Sequence, residues 1–157
     1  MAFDITKTVQ DEEVPFKRPS PEFFKAVGGA EGMQKLMYSF YDIIYESDIQ
    51  NFFPQDRVEF DKVKVKNTKF FVQLCGGPKV YEAESGGMDL DEFMIRVHDD
   101  FTIDDAARME WLGCMQQALS NYEMDEAIKQ DFWDYAEAFS KLTVNKFKDL
   151  QAFNPYH

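Results

Sequence analysis

Long helical stripes of apolar residues, cut by glycine and proline, constrain this chain more than any other feature of its sequence. Between Ala30 and Glu46, large apolar residues recur at spacings of three and four, which places them on one face of a helix. The pattern recurs over 58–75, 102–119 and 125–150, and no stretch of strand length alternates between apolar and polar residues. The sequence therefore predicts an all-α fold of about six helices.

Glycine and proline mark the ends of the first helices. Ser20 can cap a helix that has Pro21 in its first turn, and Gly28-Gly29 closes that helix because glycine accepts the left-handed conformation. Pro54 interrupts the pattern after the second helix, because proline lacks the amide hydrogen that a helix needs. Gly76-Gly77-Pro78 ends the third helix.

The second half of the chain predicts a loop and three further helices. Residues 79–92 are acidic and contain two adjacent glycines, which favours a loop, and a short helix is expected over 90–97. Thr102 is expected to cap the next helix, with Asp105 three residues later. The last helix is expected to run from about Asp125 to Leu150, with Phe147 on its apolar face.

Length and composition predict one domain with short ends. The chain has 157 residues, and its 45% of hydrophobic residues is enough for a packed core. Residues 1–20 carry charges and prolines and are interpreted as an extension with little regular structure. The helical domain is placed at 21–150, with a tail at 151–157.

Charge and hydropathy exclude several classes of partner. A formal net charge of −12 repels phosphate backbones and anionic lipid, so neither nucleic acid nor a membrane is an expected partner. No apolar run is long enough to cross a membrane and the first residues lack an apolar signal core, so a cytoplasmic location is expected. Cys75 and Cys114 lack motif spacing and are interpreted as buried reduced thiols.

His98 is the main candidate for a metal ligand or a catalytic group. The other histidine, His157, is the last residue and is given no role. A lone interior histidine is more often a hydrogen-bonded structural residue than a metal ligand. A haem iron, however, needs only one protein nitrogen on its proximal side, and the high aromatic content, 16%, suits either a core or a flat apolar ligand. Position alone leaves both interpretations open.

A series of motifs resembles the truncated haemoglobins, most closely their second group. The match extends from about Pro21 to Leu119 and includes the last helix loosely. In chain order the matching motifs are Phe24-Lys25-Ala26-Val27-Gly28-Gly29, Phe40-Tyr41, Phe53-Pro54, Gly76-Gly77-Pro78, His98, and Trp111-Leu112 followed by Met115 and Ala118-Leu119.

The resemblance implies a globin-like two-over-two helical sandwich around haem b (iron protoporphyrin IX), with His98 as the iron ligand. It implies that Tyr41, Val63, Asn67 and Trp111 face the bound gas. The residues that it implies around the haem and its propionates are Phe53, Lys66, Phe70, Phe71, Tyr81, Arg96 and Phe101.

Two departures from the family pattern stand out. The stretch from Gly77 to His98 is longer than expected, and the residue before the histidine is Val97 where the family has a basic one, with Arg96 one position earlier. Val63 cannot donate a hydrogen bond, so the polar contacts to a gas would come from Tyr41, Trp111 or Asn67.

The expected function is binding of O2, NO or CO on ferrous haem. Several hydrogen-bond donors would slow gas release, which favours detoxification of NO or peroxide, as an NO dioxygenase or a peroxidase-like enzyme, over oxygen transport. An external reductase would be needed, because the chain has no flavin or nicotinamide motif. The alternatives are an O2 carrier, a haem-based sensor, or a helical interaction module without a cofactor; a monomer or a homodimer fits each.

Overall fold

A computed structural model of the chain describes residues 3–147. Within this range the regular structure is entirely helical, with one short 3-10 turn at Gln50–Phe52. The α-helices are α1 (Pro21–Val27), α2 (Gly29–Tyr45), α3 (Arg57–Leu74), α4 (Glu82–Ser85), α5 (Leu90–His98), α6 (Asp105–Ser120) and α7 (Glu126–Lys141). The all-α prediction is confirmed.

Two pairs of helices, α2 with α3 and α6 with α7, form the frame of the fold. Helix α2 packs against α3 and α6, helix α6 packs against α7, and α1 joins the two pairs through contacts with α2 and α7. The stripe predicted for α2 lies at the centre, where Met33, Leu36, Met37, Phe40 and Ile44 are fully buried. This is the expected two-over-two arrangement. None of the described helices combines the length and the apolarity that a membrane span requires.

Glycine makes the sharp turn between α1 and α2. Gly28 has a φ of 109°, and its amide donates to the carbonyls of Lys25 and Phe24, which ends α1 as predicted. Gly32, in the first turn of α2, lies so close to α1 that a Cβ there would be 1.8 Å from the carbonyl oxygen of Val27. The close approach of the two helices therefore depends on glycine at both positions.

Residues 3–20, named here the N-terminal segment, form no helix or strand but pack across α7. The indole Nε1 of Trp133 donates to the carbonyl of Asp4 at 3.0 Å. Further along, the Thr6 amide donates to the Glu137 carboxylate at 2.8 Å. The segment is thus fixed to the domain by specific hydrogen bonds.

The predicted start of α6 is wrong by two residues. The cap is Asp104, whose carboxylate accepts from the Ala107 amide at 2.9 Å, and not Thr102. The reason is tertiary, because the Ile103 amide donates to the Asn145 side chain at 2.8 Å and thereby holds the chain extended before the helix.

The predicted end of α7 is also wrong. The helix stops at Lys141, and residues 142–147 are not helical. Asn145 is hydrogen-bonded to the segment before α6. Its backbone amide donates to the Ile103 carbonyl at 2.9 Å, and its side-chain amide donates to the Phe101 carbonyl at 2.7 Å. Residues 148–150, the rest of the predicted helix, lie outside the described residues.

Smaller features complete the comparison with the sequence. The loop predicted over 79–92 contains one helical turn, α4, closed by Gly86 with a φ of 62°. Cys75 and Cys114 are buried free thiols, as predicted. Burial raises the pKa of Cys75 to about 12 and that of Cys114 to about 11, so both stay protonated at neutral pH.

Candidate functional site

A cavity of about 450 Å³ lies between the helices, within the usual range of roughly 300–1,000 Å³ for ligand pockets. Its walls are mainly aromatic and aliphatic side chains from α2, α3, α5, α6 and α7 and from the loops between them. Of the residues that the resemblance implied for the site, the following line this cavity: Tyr41, Phe53, Val63, Lys66, Asn67, Phe70, Phe71, Tyr81, His98, Phe101 and Trp111.

His98 lies in the last turn of α5, and its ring is oriented by the helix itself. Its Nδ1 is 2.7 Å from the carbonyl oxygen of Met94, one turn earlier. Because a carbonyl only accepts, Nδ1 carries the proton and the lone pair of Nε2 is left for a metal. Burial lowers the pKa of His98 and outweighs the opposing effects of the Met94 carbonyl and Asp99, so the neutral, ligating form is favoured.

Other residues of α5 line the same cavity, although the sequence did not predict them as site residues. Phe93, Met94 and Val97 share it with His98. The spacing of Met94, four residues before His98, was a usable signal, because residues one turn apart share a helix face. The helix begins at Leu90, where the Asp89 carboxylate caps it by accepting from the Glu92 amide at 3.2 Å.

Tyr41 and Asn67 form a polar pair on α2 and α3. Tyr41 is 4% exposed, and the amide side chain of Asn67 is the polar group that acts on its hydroxyl. Burial raises the pKa of Tyr41 well above its ordinary value, although the neighbouring amide of Asn67 opposes this shift. The phenol therefore keeps its proton and can donate a hydrogen bond.

Trp111 and Val63 occupy two further positions on the cavity wall. Trp111, on α6, packs edge-on against Phe40 with ring centroids 5.3 Å apart and lines the cavity, and its side chain carries an N–H donor. Val63, on α3, adds only aliphatic surface. Donors thus reach the cavity from α2, α3 and α6, whereas His98 comes from α5.

Aromatic rings form a continuous wall from α3 to α5. Phe70 packs edge-on against Phe71 at 5.2 Å and against Tyr81 at 5.6 Å, and Tyr81 contacts Phe93 at 5.9 Å. Such edge-to-face packing holds each ring in a fixed orientation. The wall is therefore pre-formed for a flat apolar ligand.

Two further aromatic contacts involve Phe52 and Phe53, which lie in the stretch between α2 and α3. Phe53 lies 6.2 Å from the ring of Tyr41. Phe101, which is 40% exposed, packs against Phe52 at 6.1 Å. Phe52 is another wall residue that sequence reasoning missed.

Two basic residues implied for the site differ in their placement. Lys66 is exposed and lines the cavity. Arg96 is not among the lining residues; its guanidinium pairs with Glu92 at 2.8 Å on the outer face of α5. Tyr81 lies at the cavity, and burial together with Glu84 raises its pKa to about 12, so that its hydroxyl remains a donor.

Arg108 is a buried wall residue for which the sequence held no signal. Its side chain is fully buried, and it donates to the Ser140 hydroxyl at 2.9 Å and to the Thr6 carbonyl at 2.8 Å. Its guanidinium also donates to the Glu137 carboxylate at 2.8 Å. Arg108 therefore joins α6, α7 and the N-terminal segment beside the cavity.

The single nitrogen ligand that the cavity offers, His98, fits a metal already coordinated by a macrocycle. Residues 3–147 contain no group of three or more His, Cys, Asp or Glu side chains that could hold a bare ion. A haem iron needs a single protein nitrogen and apolar walls, and the cavity supplies both through His98 Nε2 and its aromatic lining.

Comparison with known proteins gives the same result. The family model of the bacterial-like globins matches residues 22–145. The chain is 27% identical over 120 residues to the group 2 truncated hemoglobin YjbI of Bacillus subtilis (strain 168), which covers 75% of this chain and 85% of that one.

Two solved structures are similar over most of the chain. Phosphate-bound Hell's gate globin IV has a TM-score of 0.77 and 28% identity, and the match covers 91% of this chain and 87% of that one. The group II truncated hemoglobin of Bacillus anthracis has a TM-score of 0.69 and 25% identity, covering 79% and 91% respectively. This chain is a haem-binding globin and belongs to the bacterial-like globins, in the truncated haemoglobin branch most like group II.

Proposed function

We propose that this globin holds haem b through His98 Nε2 and binds diatomic gases such as O2, NO and CO. The carrying observation is the hydrogen bond from His98 Nδ1 to Met94, which leaves Nε2 as the free nitrogen of a neutral, half-buried imidazole. When bound, ferrous haem supplies an open coordination position that takes up a diatomic gas reversibly.

The aromatic wall holds the flat faces of the cofactor in this proposal. Phe53, Phe70, Phe71 and Phe101 line the cavity and provide apolar contact. Lys66 supplies a cation at the cavity for a propionate, and the Tyr81 hydroxyl supplies a donor for the other. Arg96 takes no part, since its charge is paired with Glu92.

Tyr41 and Trp111 act on the gas as hydrogen-bond donors. A hydrogen bond to a charged acceptor is worth about 1.5–3 kcal/mol, which corresponds to roughly one to two powers of ten in release rate. Asn67 lines the same cavity and is the polar side chain that acts on the Tyr41 hydroxyl, so in this proposal it orients that donor. Donors from two helices slow release, which favours turnover of the gas over its delivery.

We infer a redox role in detoxification of NO or peroxide, supplied with electrons by a separate reductase. The experiment starts with addition of haemin to the purified apo-protein and a ferric and ferrous absorption spectrum. A Soret band that corresponds to one haem per chain is expected, and a protein that stays colourless would refute the proposal. NO consumption and peroxide turnover are then measured with a reductase supplied. Fast O2 release without turnover would favour a carrier or a sensor instead.

A further inference from the structure

We propose that the N-terminal segment positions the histidine-bearing helix, with Arg18 as the key residue. The Arg18 guanidinium donates to the Asp91 carboxylate at 2.9 Å and to the Asp89 carboxylate at 2.8 Å. Both acids belong to the start of α5, the helix that ends at His98. The inference rests on the proposed function in one respect, namely that His98 is the iron ligand.

Helix α5 needs such a support. The closely packed helix pairs of the described range involve α1, α2, α3, α6 and α7, and α5 belongs to none of them. A nine-residue helix that is not closely packed along another helix depends on individual side-chain contacts, which here are Leu90 and Met94 in the core and Asp91 at its start. The few side chains that hold it therefore decide how firmly His98 is placed.

Asp91 is the point at which α5 is held. Its side chain is 10% exposed, and its second oxygen accepts from the Tyr135 hydroxyl at 2.9 Å. A carboxylate at this depth is stable only when its charge is paired and its oxygens are hydrogen-bonded. Arg18 supplies the opposite charge and Tyr135 supplies a second hydrogen bond. The N-terminal segment and α7 therefore both hold the start of α5 in place.

Phe16 extends the same support to the cavity wall. Its ring packs edge-on against Tyr135 at 6.0 Å and against Phe139 at 5.8 Å. Both of those rings line the cavity, and they stack on each other at 5.4 Å. The segment thus backs the wall made by α7 and fixes the start of α5, two helical turns before His98.

The test compares Arg18→Gln with Lys17→Gln in the full chain. Lys17 is the neighbouring cation, 86% exposed and 3.8 Å from Asp131, and it does not contact α5. Hydrogen exchange is measured amide by amide in the apo-protein. In Arg18→Gln we expect exchange in α5 to accelerate by about tenfold, because the two charge-assisted hydrogen bonds to Asp89 and Asp91 are lost and water partly screens both, while α3 is unchanged. Lys17→Gln should match the wild type.

The haem-loaded protein provides a second readout. Transfer of haem to an excess of a scavenging apo-globin should be faster in Arg18→Gln by about threefold to tenfold, since the charge pair is partly exposed. The iron–histidine stretching frequency of the ferrous protein should also shift. A merely structural contact would lower the overall stability without moving that frequency.

Several outcomes would overturn the proposal. Unchanged exchange in α5, or equal acceleration in α3 and α5, would show that Arg18 does not act on the histidine helix. If Arg18→Gln fails to fold, Tyr135→Phe, which removes one hydroxyl from the same carboxylate, must show the selective loss of protection in α5. If the chain takes up no haem, the proposed function fails, and the exchange experiment still decides whether Arg18 holds α5.

Discussion

The Nδ1 of His98 donates a hydrogen bond to the carbonyl oxygen of Met94 at 2.7 Å, within a single short helix. The bond joins residues four apart, so helix geometry alone aligns the ring. It fixes the tautomer and leaves Nε2 as the nitrogen available to iron. The orientation of the proposed metal ligand is therefore built into α5 and requires no partner from another element.

The first prediction concerns this histidine. His98→Ala should abolish stable haem uptake, because the only proposed protein bond to the iron is lost. The measurement is the Soret absorbance after gel filtration of the haemin-treated protein. His157→Ala removes the other histidine and should leave uptake intact. An unaltered ferrous spectrum in His98→Ala would refute the assignment.

The second prediction concerns the hydroxyl of Tyr41. Tyr41→Phe should accelerate O2 dissociation by about ten- to a hundredfold, because one donor to a polar acceptor disappears. Trp111→Phe should act in the same direction. Stopped-flow dissociation from the reduced protein measures both.

Tyr45→Phe is the matched control for Tyr41→Phe. Tyr45 lies one turn later on α2, and its hydroxyl donates to the Gln55 carbonyl at 2.8 Å and not to the cavity. O2 dissociation should therefore match the wild type. Rates that are fast in the wild type and unmoved in Tyr41→Phe and Trp111→Phe would exclude the donor role.

The third prediction separates two cations. Lys66→Ala should weaken haem retention by about 1 kcal/mol or less, because an exposed ion pair with a propionate is screened by water. Arg96→Ala should have no effect on retention, since Arg96 pairs with Glu92 away from the cavity. Haem transfer rates at low and high salt measure this. A larger loss in Arg96→Ala than in Lys66→Ala would reverse the assignment.

The fourth prediction is a pH dependence of stability. Burial raises the pKa of Glu137, but hydrogen bonds from Thr6 and Arg108 outweigh it, so the pKa lies below its ordinary value of 4.5. The contribution of Glu137 is thus fully present above 4.5 and is lost as pH falls through the lower folded value.

Denaturant unfolding of Glu137→Gln between neutral and acidic pH tests this dependence. The variant should lose about 1–3 kcal/mol of unfolding free energy at neutral pH and should fall less steeply on acidification. The exposed Glu123→Gln should follow the wild-type profile. Parallel profiles for Glu137→Gln and the wild type would disprove the linkage.

The fifth prediction concerns the α1–α2 contact. Gly32→Ala should lower the unfolding free energy by about 3 kcal/mol, because the new Cβ would overlap the Val27 carbonyl and force the helices apart. Gly113→Ala, in α6, meets nothing within 4 Å and should raise stability by about 0.4–1 kcal/mol. Thermal unfolding of both variants decides, and a neutral Gly32→Ala would contradict the close approach of α1 and α2.

Local rules predicted the frame of the fold well. The apolar stripe of α2 and the glycines after α1 are local signals, because helical spacing and positive φ depend on neighbouring residues only. The errors fall where distant residues compete. Asn145 binds the backbone at Phe101 and Ile103, which moves the start of α6 and ends α7 early.

The sequence by itself determined the all-α class and the helix frame, and the ordered motifs around His98 implied most of the residues that line the cavity. It did not determine the placement of Arg96 or the burial of Arg108, which depend on partners far apart in the chain. Only the tertiary structure decided that residues 3–20 are part of the site's support. Arg18 and Asp91 are 73 positions apart, and no local periodicity records such a contact.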